Sequence, residues 1–413
     1  MQLSRILTDG DPGRKAFQRG THRTVDPAET VARLQPLLPA LGITRVANVT
    51  GLDRIGVPVV MVCRPNARSI AVSQGKGLTL AAAKASGIME AAELYHAERV
   101  HLPLKLGSYE ELAVTHRLVD PDGLPRPRGS RWRPDLPILW IEARDLVGDE
   151  AVWVPYETVH ANYTHPLPTG SRCFAASTNG LASGNHLLEA ICHGICEVVE
   201  RDATSLWHML RTDKRVGMRV DPATVSDAAC RSVLDRLVEA GLDVAVWNTT
   251  TDLGIPSFYC LVIDNLAGGG HDGGGAGCHP SGEIALLRAL TEAIQVRNTY
   301  ITGSRDDLAA AEYERGRRDE RQRRVRQLMQ SNGTGRDCRS LSGYRSDSFA
   351  DDLRWLLARL QAAGIQQVLA VDLTRPELAL PVARIVIPGL EGPHDDDGYV
   401  PGVRARAAGA PAA

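Results

Sequence analysis

Three stretches of the chain place apolar residues at steps of three and four and gather their polar residues on the other side. That is the period of a helix burying one face. From Asn185 onward, Leu187, Leu188, Ile191, Ile195, Val198 and Val199 form the apolar side, no proline interrupts, and Asn185 is the expected N-cap. Glu189, His193, Glu197, Glu200 and Arg201 share the polar face. A second helix, rich in Ala and Leu, is predicted from Leu78 to His101, with Ser86, Glu90, Glu93 and Ala97 in one stripe. A third is predicted from Ser281, where Arg288, Glu292, Gln295 and Thr299 align.

Around these the pattern changes period. Pro27 to Leu38 predicts a short helix, and VPVVMVC at 57–63 a strand. Residues 103–170 are dense in proline, which predicts loops and edge strands around ILWIEARDL and AVWVPYE. AACRSVLDRLVEAG and DLRWLLARLQAAGI read as helices, and AVWNTTT, PSFYCLVID, QQVLAVDLT and LPVARIVIPGLEG as strands. GGGHDGGGAGCHP at 268–280 reads as too glycine-rich for regular structure, either a flexible cover over a ligand or a plain linker. The charged 304–350 region reads as a solvated helix, with a peptide-docking surface as the alternative. The tail after Glu391 is expected to be mobile at its extreme end.

Composition narrows the function. With 47 basic and 49 acidic residues, the chain lacks the basic surplus that nucleic-acid binding needs. No signal-peptide pattern opens the chain and no apolar run reaches about eighteen residues, so a cytoplasmic protein without a membrane segment is expected. The eight cysteines are scattered, and Cys192, His193 and Cys196 lack the second pair that a zinc site requires. Ser73, Gly75, Lys76 and Gly77 hint at a phosphate loop, but Leu78 stands where the Walker pattern needs Ser or Thr.

Carboxylates at helical spacing repel, and more so when half-buried. A water-washed acidic face is the plain reading of any one such helix. Gathered together, Glu90, Glu93, Glu197 and Glu200 would be hard oxygen donors suited to Mg2+. Lys76, Arg201 and Arg288 are cations for phosphate oxygens, and Ser86, Asn185 and Gln295 could orient a nucleotide. The set reads as a non-Walker triphosphate site. No Ser-His-Asp or Cys-His constellation is evident, so no catalytic nucleophile is assigned.

The segments LDRIGVPVVMVCRP, SQGKGLTLAAAKASGIMEAAELY, STNGLASGNHLLEAICHGICEVVERDA, GCHPSGEIALLRALTEAIQVR, ITGSRDDL and VDLTRPELALPVARIVIPGLE resemble the YcaO family in correct succession, from about Leu52 to Glu391. The resemblance implies an α+β fold of mixed sheets with ATP and Mg2+ held among three helices, commonly as a homodimer. It divides the chain into an N-terminal segment, 1–66, strand-rich toward its end, and a YcaO domain, 67–413. Ser86, Glu90 and Glu93 match its first ATP/Mg2+ motif, and Asn185, Glu189, Glu197, Glu200 and Arg201 its second. Glu292, Gln295 and Arg297 fall in the third. The implied reaction adds a nucleophile to a backbone amide of a ribosomally made peptide or protein, with phosphorylation of the amide oxygen by ATP.

The ending GYVPGVRARAAGAPAA lacks the PxPxP tail common to azoline-forming members, and nothing resembling a leader reader precedes Leu52. PGLE and ITGSRDDL resemble members that work with a TfuA partner. For those the nucleophile is sulfide and the product a backbone thioamide, the preferred reading. Cyclodehydration to an azoline is the alternative, and a non-catalytic nucleotide-binding scaffold the alternative of another class.

Overall fold

A computed structural model describes residues 11–265, 271–329, 335–338, 343–394 and 398–410. The first sheet is an antiparallel meander of β1 (Arg45–Asn48), β2 (Val59–Cys63) and β3 (Val72–Lys76). It pairs strands on either side of residue 66. Strands β4 (Leu104–Gly107), β5 (Ile138–Asp145), β6 (Glu150–Pro155) and β7 (Leu181–Ser183) begin a second sheet. The chain leaves it to build a third from β8 (Arg219–Val220), β9 (Leu242–Asn248), β10 (Ser257–Asp264) and β11 (Gly273–Cys278), then rejoins it with β12 (Leu369–Asp372) and β13 (Val382–Val386). Sheets beside segregated helices make this an α+β fold. Among the described residues, no helix is long and apolar enough to cross a membrane.

The longer helices are α1 (Pro27–Leu34), α2 (Leu80–Glu98), α3 (Leu187–Met209), α4 (Ala228–Glu239), α5 (Gly282–Thr302), α6 (Arg315–Met329) and α7 (Phe349–Ala362). Helix α2 lies on β2 and β3, α3 on β7 and β13, and α5 on β10 and β11. The apolar stripe of α3 (Leu188, Ile191, Ile195, Val199) packs against Leu353, Leu356 and Leu360 of α7 and Ile385 of β13. Each such side chain contributes about 1.5–3 kcal/mol on burial. Fixing α3 this way turns its polar face toward α2 and α5.

Several expectations need correction. The glycine-rich run is neither cover nor linker where it is described, for 273–278 form strand β11; residues 268–270 lie outside the described residues. A Cβ on Gly273, Gly275 or Gly277 would stand 2.0, 2.3 and 2.1 Å from backbone atoms of Ala293, Ala293 and Ala285. These glycines exist so that α5 can lie on the strand. The cap of α3 is His186, whose Nδ1 accepts from Leu188 N at 3.2 Å, and not Asn185. Strand β5 is interior, paired with β4, β6 and β12, despite the prolines around it. Helix α6 is not wholly solvated: Val325, Leu328 and Met329 pack around Trp207 and Trp247. The tail is held as far as a helix over Val403–Gly409, by Arg404 to Asp202 at 3.0 Å and to Asp252 at 2.6 Å; residues 411–413 lie outside the described residues.

Candidate active site

Helices α2, α3 and α5 wall a cavity of about 820 Å³. Lys76 reaches it from the end of β3, and Ser86, Glu90 and Glu93 from α2. Glu189, His193, Glu197, Glu200 and Arg201 enter from α3, Asn185 from the turn before it, and Arg288, Glu292 and Gln295 from α5. Every residue singled out for nucleotide or metal thus faces one space. Arg297 does not: it is buried behind α5, bonded to Asp53 at 2.9 Å and Asp264 at 3.2 Å. Its offset from the Glu292 and Gln295 stripe puts it on the structural face of the helix.

The carboxylates are held mostly by neutral donors. Glu93 Oε1 accepts from Ser183 N at 2.7 Å and Ser183 Oγ at 2.6 Å, and Glu90 accepts from Gln74 N at 3.3 Å. Arg201 lies 3.8 Å from Glu200. Burial, reinforced by Glu90 and Glu197, pushes the Glu93 carboxyl up to about 8 against the pull of Ser183. Burial raises Glu197 to about 7 against Arg201 and Arg384, and Glu200 to about 7 against Arg201. Glu90 is raised by burial as well, against Lys76. Glu292 differs: burial opposes its ionisation, but Lys76 at 3.0 Å and nearby Arg201 hold it below the usual range. His193 is kept neutral by burial and by Arg288, Arg23 and Lys76.

Like-charged oxygens brought together at a desolvation cost, with no cation salt-bridged to most of them, are what a divalent ion repays. Their chemistry fits Mg2+, which favours carboxylates and phosphate oxygens. Buried Gln74 Nε2 and Asn179 Oδ1 also line the cavity without partners among the described residues, leaving polar atoms for a ligand.

The N-terminal segment contributes contacts that no periodicity announces. Thr24 donates from N and Oγ1 to Glu189 Oε2 at 3.0 and 3.2 Å, with Arg23 at 3.5 Å from the other oxygen. Asn185 Oδ1 accepts from Thr30 at 3.1 Å and Arg33 at 2.7 Å. Arg305 and Asp307, paired with each other, also line the cavity; they lie in the ITGSRDDL segment, past the end of α5, where no helical stripe marks them. A separate buried group, His22, His279 and Asp352, has metal-like donors, yet the Lys15 ammonium sits 2.7 Å from Asp352 and already balances it. Cys192 and Cys196 are buried in the core, Cys192 donating to Phe349 O at 3.4 Å.

Residues 74–391 match the family described as YcaO cyclodehydratase, ATP- and Mg2+-binding. A Rhizobium leguminosarum bv. trifolii protein in the tfuA 3′ region is 37% identical over 380 residues, covering 89% of this chain and 88% of that one. A Methanothermobacter thermautotrophicus protein is 37% identical over 376 residues, with 89% and 95% covered. Among solved structures, YcaO from Methanopyrus kandleri bound with AMPPCP and Mg2+ superposes with TM-score 0.73 at 23% identity, covering 94% and 97%. A heterocyclase in complex with substrate and cofactor gives TM-score 0.75 at 23% identity, over 90% of this chain; the chain spans about half, 53%, of that protein. The fold and site therefore define an ATP- and Mg2+-using enzyme of peptide modification. The chain belongs to the YcaO family.

Proposed function

We propose that this enzyme converts a backbone amide of a ribosomally made peptide to a thioamide, using a sulfide donor and a TfuA-like partner, as a homodimer. The reading is carried by the convergence of Glu90, Glu93, Glu197 and Glu200 in one buried cavity with their carboxyls raised or held near neutrality. These four would hold Mg2+. Lys76, Arg201 and Arg288 would receive phosphate oxygens, Arg201 and Arg288 with the planar fork that matches them. Ser86, Glu90, Asn185, Glu189 and Gln295 would position the nucleotide, Asn185 and Glu189 while also holding the N-terminal segment. Bound ATP supplies the phosphoryl group that lets the amide oxygen depart as phosphate when sulfide adds to the carbon. The protein's part is placement and charge stabilisation in a dry cavity.

The relative in the tfuA 3′ region supports the thioamide reading. The family description and the heterocyclase likeness support a second, cyclodehydration to an azoline by a Cys, Ser or Thr of the peptide. Mass spectrometry of the peptide encoded beside the gene, after incubation with ATP, Mg2+, sulfide and the TfuA-like protein, separates them. Exchange of one oxygen for sulfur is expected; loss of one water favours the azoline. Without ADP release that depends on peptide, neither stands and a nucleotide-binding scaffold is favoured.

A further inference from the structure

Beside the acidic cavity lies a second one, of about 540 Å³, and the two share Tyr163 and Ala176 as wall. Its chemistry is the reverse of its neighbour's. Arg128, Arg131 and Arg172 line it, and no carboxylate pairs with them among the described residues. Glu157, the carboxylate in the lining, is already used: it accepts from the backbone amides of Arg172, Cys173 and Phe174, the last two at 2.8 and 2.9 Å. Arg172 is held with φ at +73°, the left-handed region. A non-glycine residue there is strained, and strain of this kind clusters at binding sites.

Two buried donors complete the set. His160 is 2% exposed, and its Nδ1 accepts from Asn162 N at 3.1 Å. Burial and Arg384 lower its pKa to about 4, so the ring is neutral and its proton sits on Nε2, which has no partner among the described residues. Arg384 is also 2% exposed. It donates to Thr158 O at 2.9 Å and to Ser177 O at 2.7 Å, and its Nη1 has no partner. Ser177 lines the first cavity, so this guanidinium braces that cavity's wall from behind. Leaving such donors buried and unsatisfied is destabilising, the more so when they are charged.

A cavity whose unused groups are all donors selects a ligand made of acceptors, and its walls, with Leu167 and Phe174, suit side chains as well as ions. We propose that this second cavity binds an acidic segment of the peptide substrate, its carboxylates against Arg131 and Arg172 and a backbone carbonyl toward His160. The shared wall lets one extended peptide pass from it to the acidic cavity. This rests on the peptide-modifying reading above, but its test does not depend on turnover.

The probe is a fluorescein-labelled peptide, Gly-Ser-Asp-Glu-Asp-Gly-Ser, against its Gly-Ser-Asn-Gln-Asn-Gly-Ser counterpart, binding to the full chain by anisotropy. The acidic peptide should bind at least about tenfold tighter, and the Arg131→Glu/Arg172→Glu variant should lose that preference, since hydrogen bonds between ionised groups are the stronger ones. AMPPCP with Mg2+, measured by calorimetry on the same variant, should bind as in the wild type. Equal binding of the two peptides to the wild type, or full displacement by equimolar inorganic phosphate, overturns the proposal without recourse to the variant. If the acidic peptide binds selectively and AMPPCP does not bind at all, the nucleotide reading fails and this one stands.

Discussion

Helix α5 separates two buried groups of charge that obey opposite rules. On one face Arg297 meets Asp53 and Asp264, all three side chains no more than 3% exposed and of opposite sign. On the other, Glu292 joins Glu90, Glu93, Glu197 and Glu200 in one cavity, where burial raises the carboxyls of the last four and Lys76 holds Glu292 down. The first is closed: each charge has its counter-ion, and desolvation is offset within the fold. The second is open, with three carboxyls driven to about 7 or 8 by burial. A protein does not gather like charges to stabilise itself. Balance marks architecture, and imbalance of one sign marks the place for a ligand of the other.

The sharpest way to break this contrast is to remove one partner from the closed group. Arg297→Ala strands buried Asp53 and leaves Asp264 to Arg54 alone, at 2.8 Å; it should cost about 3–5 kcal/mol, read as a lower denaturation midpoint. Its nucleotide contacts should be untouched, so AMPPCP with Mg2+ should still stabilise whatever fraction folds. The mirror change is Glu197→Gln. It relieves repulsion in the open group, so the ligand-free melting temperature should hold or rise, while peptide-dependent ATP turnover falls about 10²–10³-fold. Normal turnover in this variant would remove Glu197 from the metal set.

Much of the open group was legible because it is periodic. Glu90 and Glu93, or Glu197 and Glu200, lie on one stripe wherever the helix goes, and three such helices need only pack together. Arg297 was separable by the same spacing. What the pattern could not carry is contact across long intervals: Thr24 and Arg23 on Glu189, Ser183 on Glu93, Arg384 on Ser177. Strand β11 was misread for a different reason. Glycine usually signals a loop because of its freedom, but here it answers to a neighbour: α5 lies where a Cβ would be.

That account makes a graded prediction within one strand. Gly275→Ala drives a methyl to within 2.3 Å of the Ala293 nitrogen and 2.5 Å of the Ala289 oxygen, backbone atoms that cannot turn aside. Overpacking of this kind costs about 1–3 kcal/mol, and should also weaken AMPPCP binding by displacing α5. At Gly274 the nearest atom is the Tyr259 hydroxyl at 2.8 Å, the end of a side chain. Gly274→Ala should be the milder by denaturant melts; the reverse order would mean that the strand does not support the helix.

The smallest effect, and the most specific to the open group, is in its pH dependence. Glu93, Glu197 and Glu200 have folded-state values of about 8, 7 and 7, above an ordinary 4.5. A carboxyl raised on folding contributes stability that is fully present below its unfolded value and is lost as pH rises through the folded one. The metal-free protein should therefore lose stability between about pH 5 and 8. Glu292 is shifted the other way and acts below that window, losing its contribution as pH falls. Because Mg2+ takes deprotonated carboxylates, its affinity should rise over the same interval, so that the melting shift caused by Mg2+ and AMPPCP grows with pH. Glu93→Gln should flatten the upper part of that rise, near pH 8, and leave the part near 7 to Glu197 and Glu200. An unchanged slope in Glu93→Gln would show that its carboxyl titrates outside the metal's reach, and would shrink the proposed metal set to Glu90, Glu197 and Glu200.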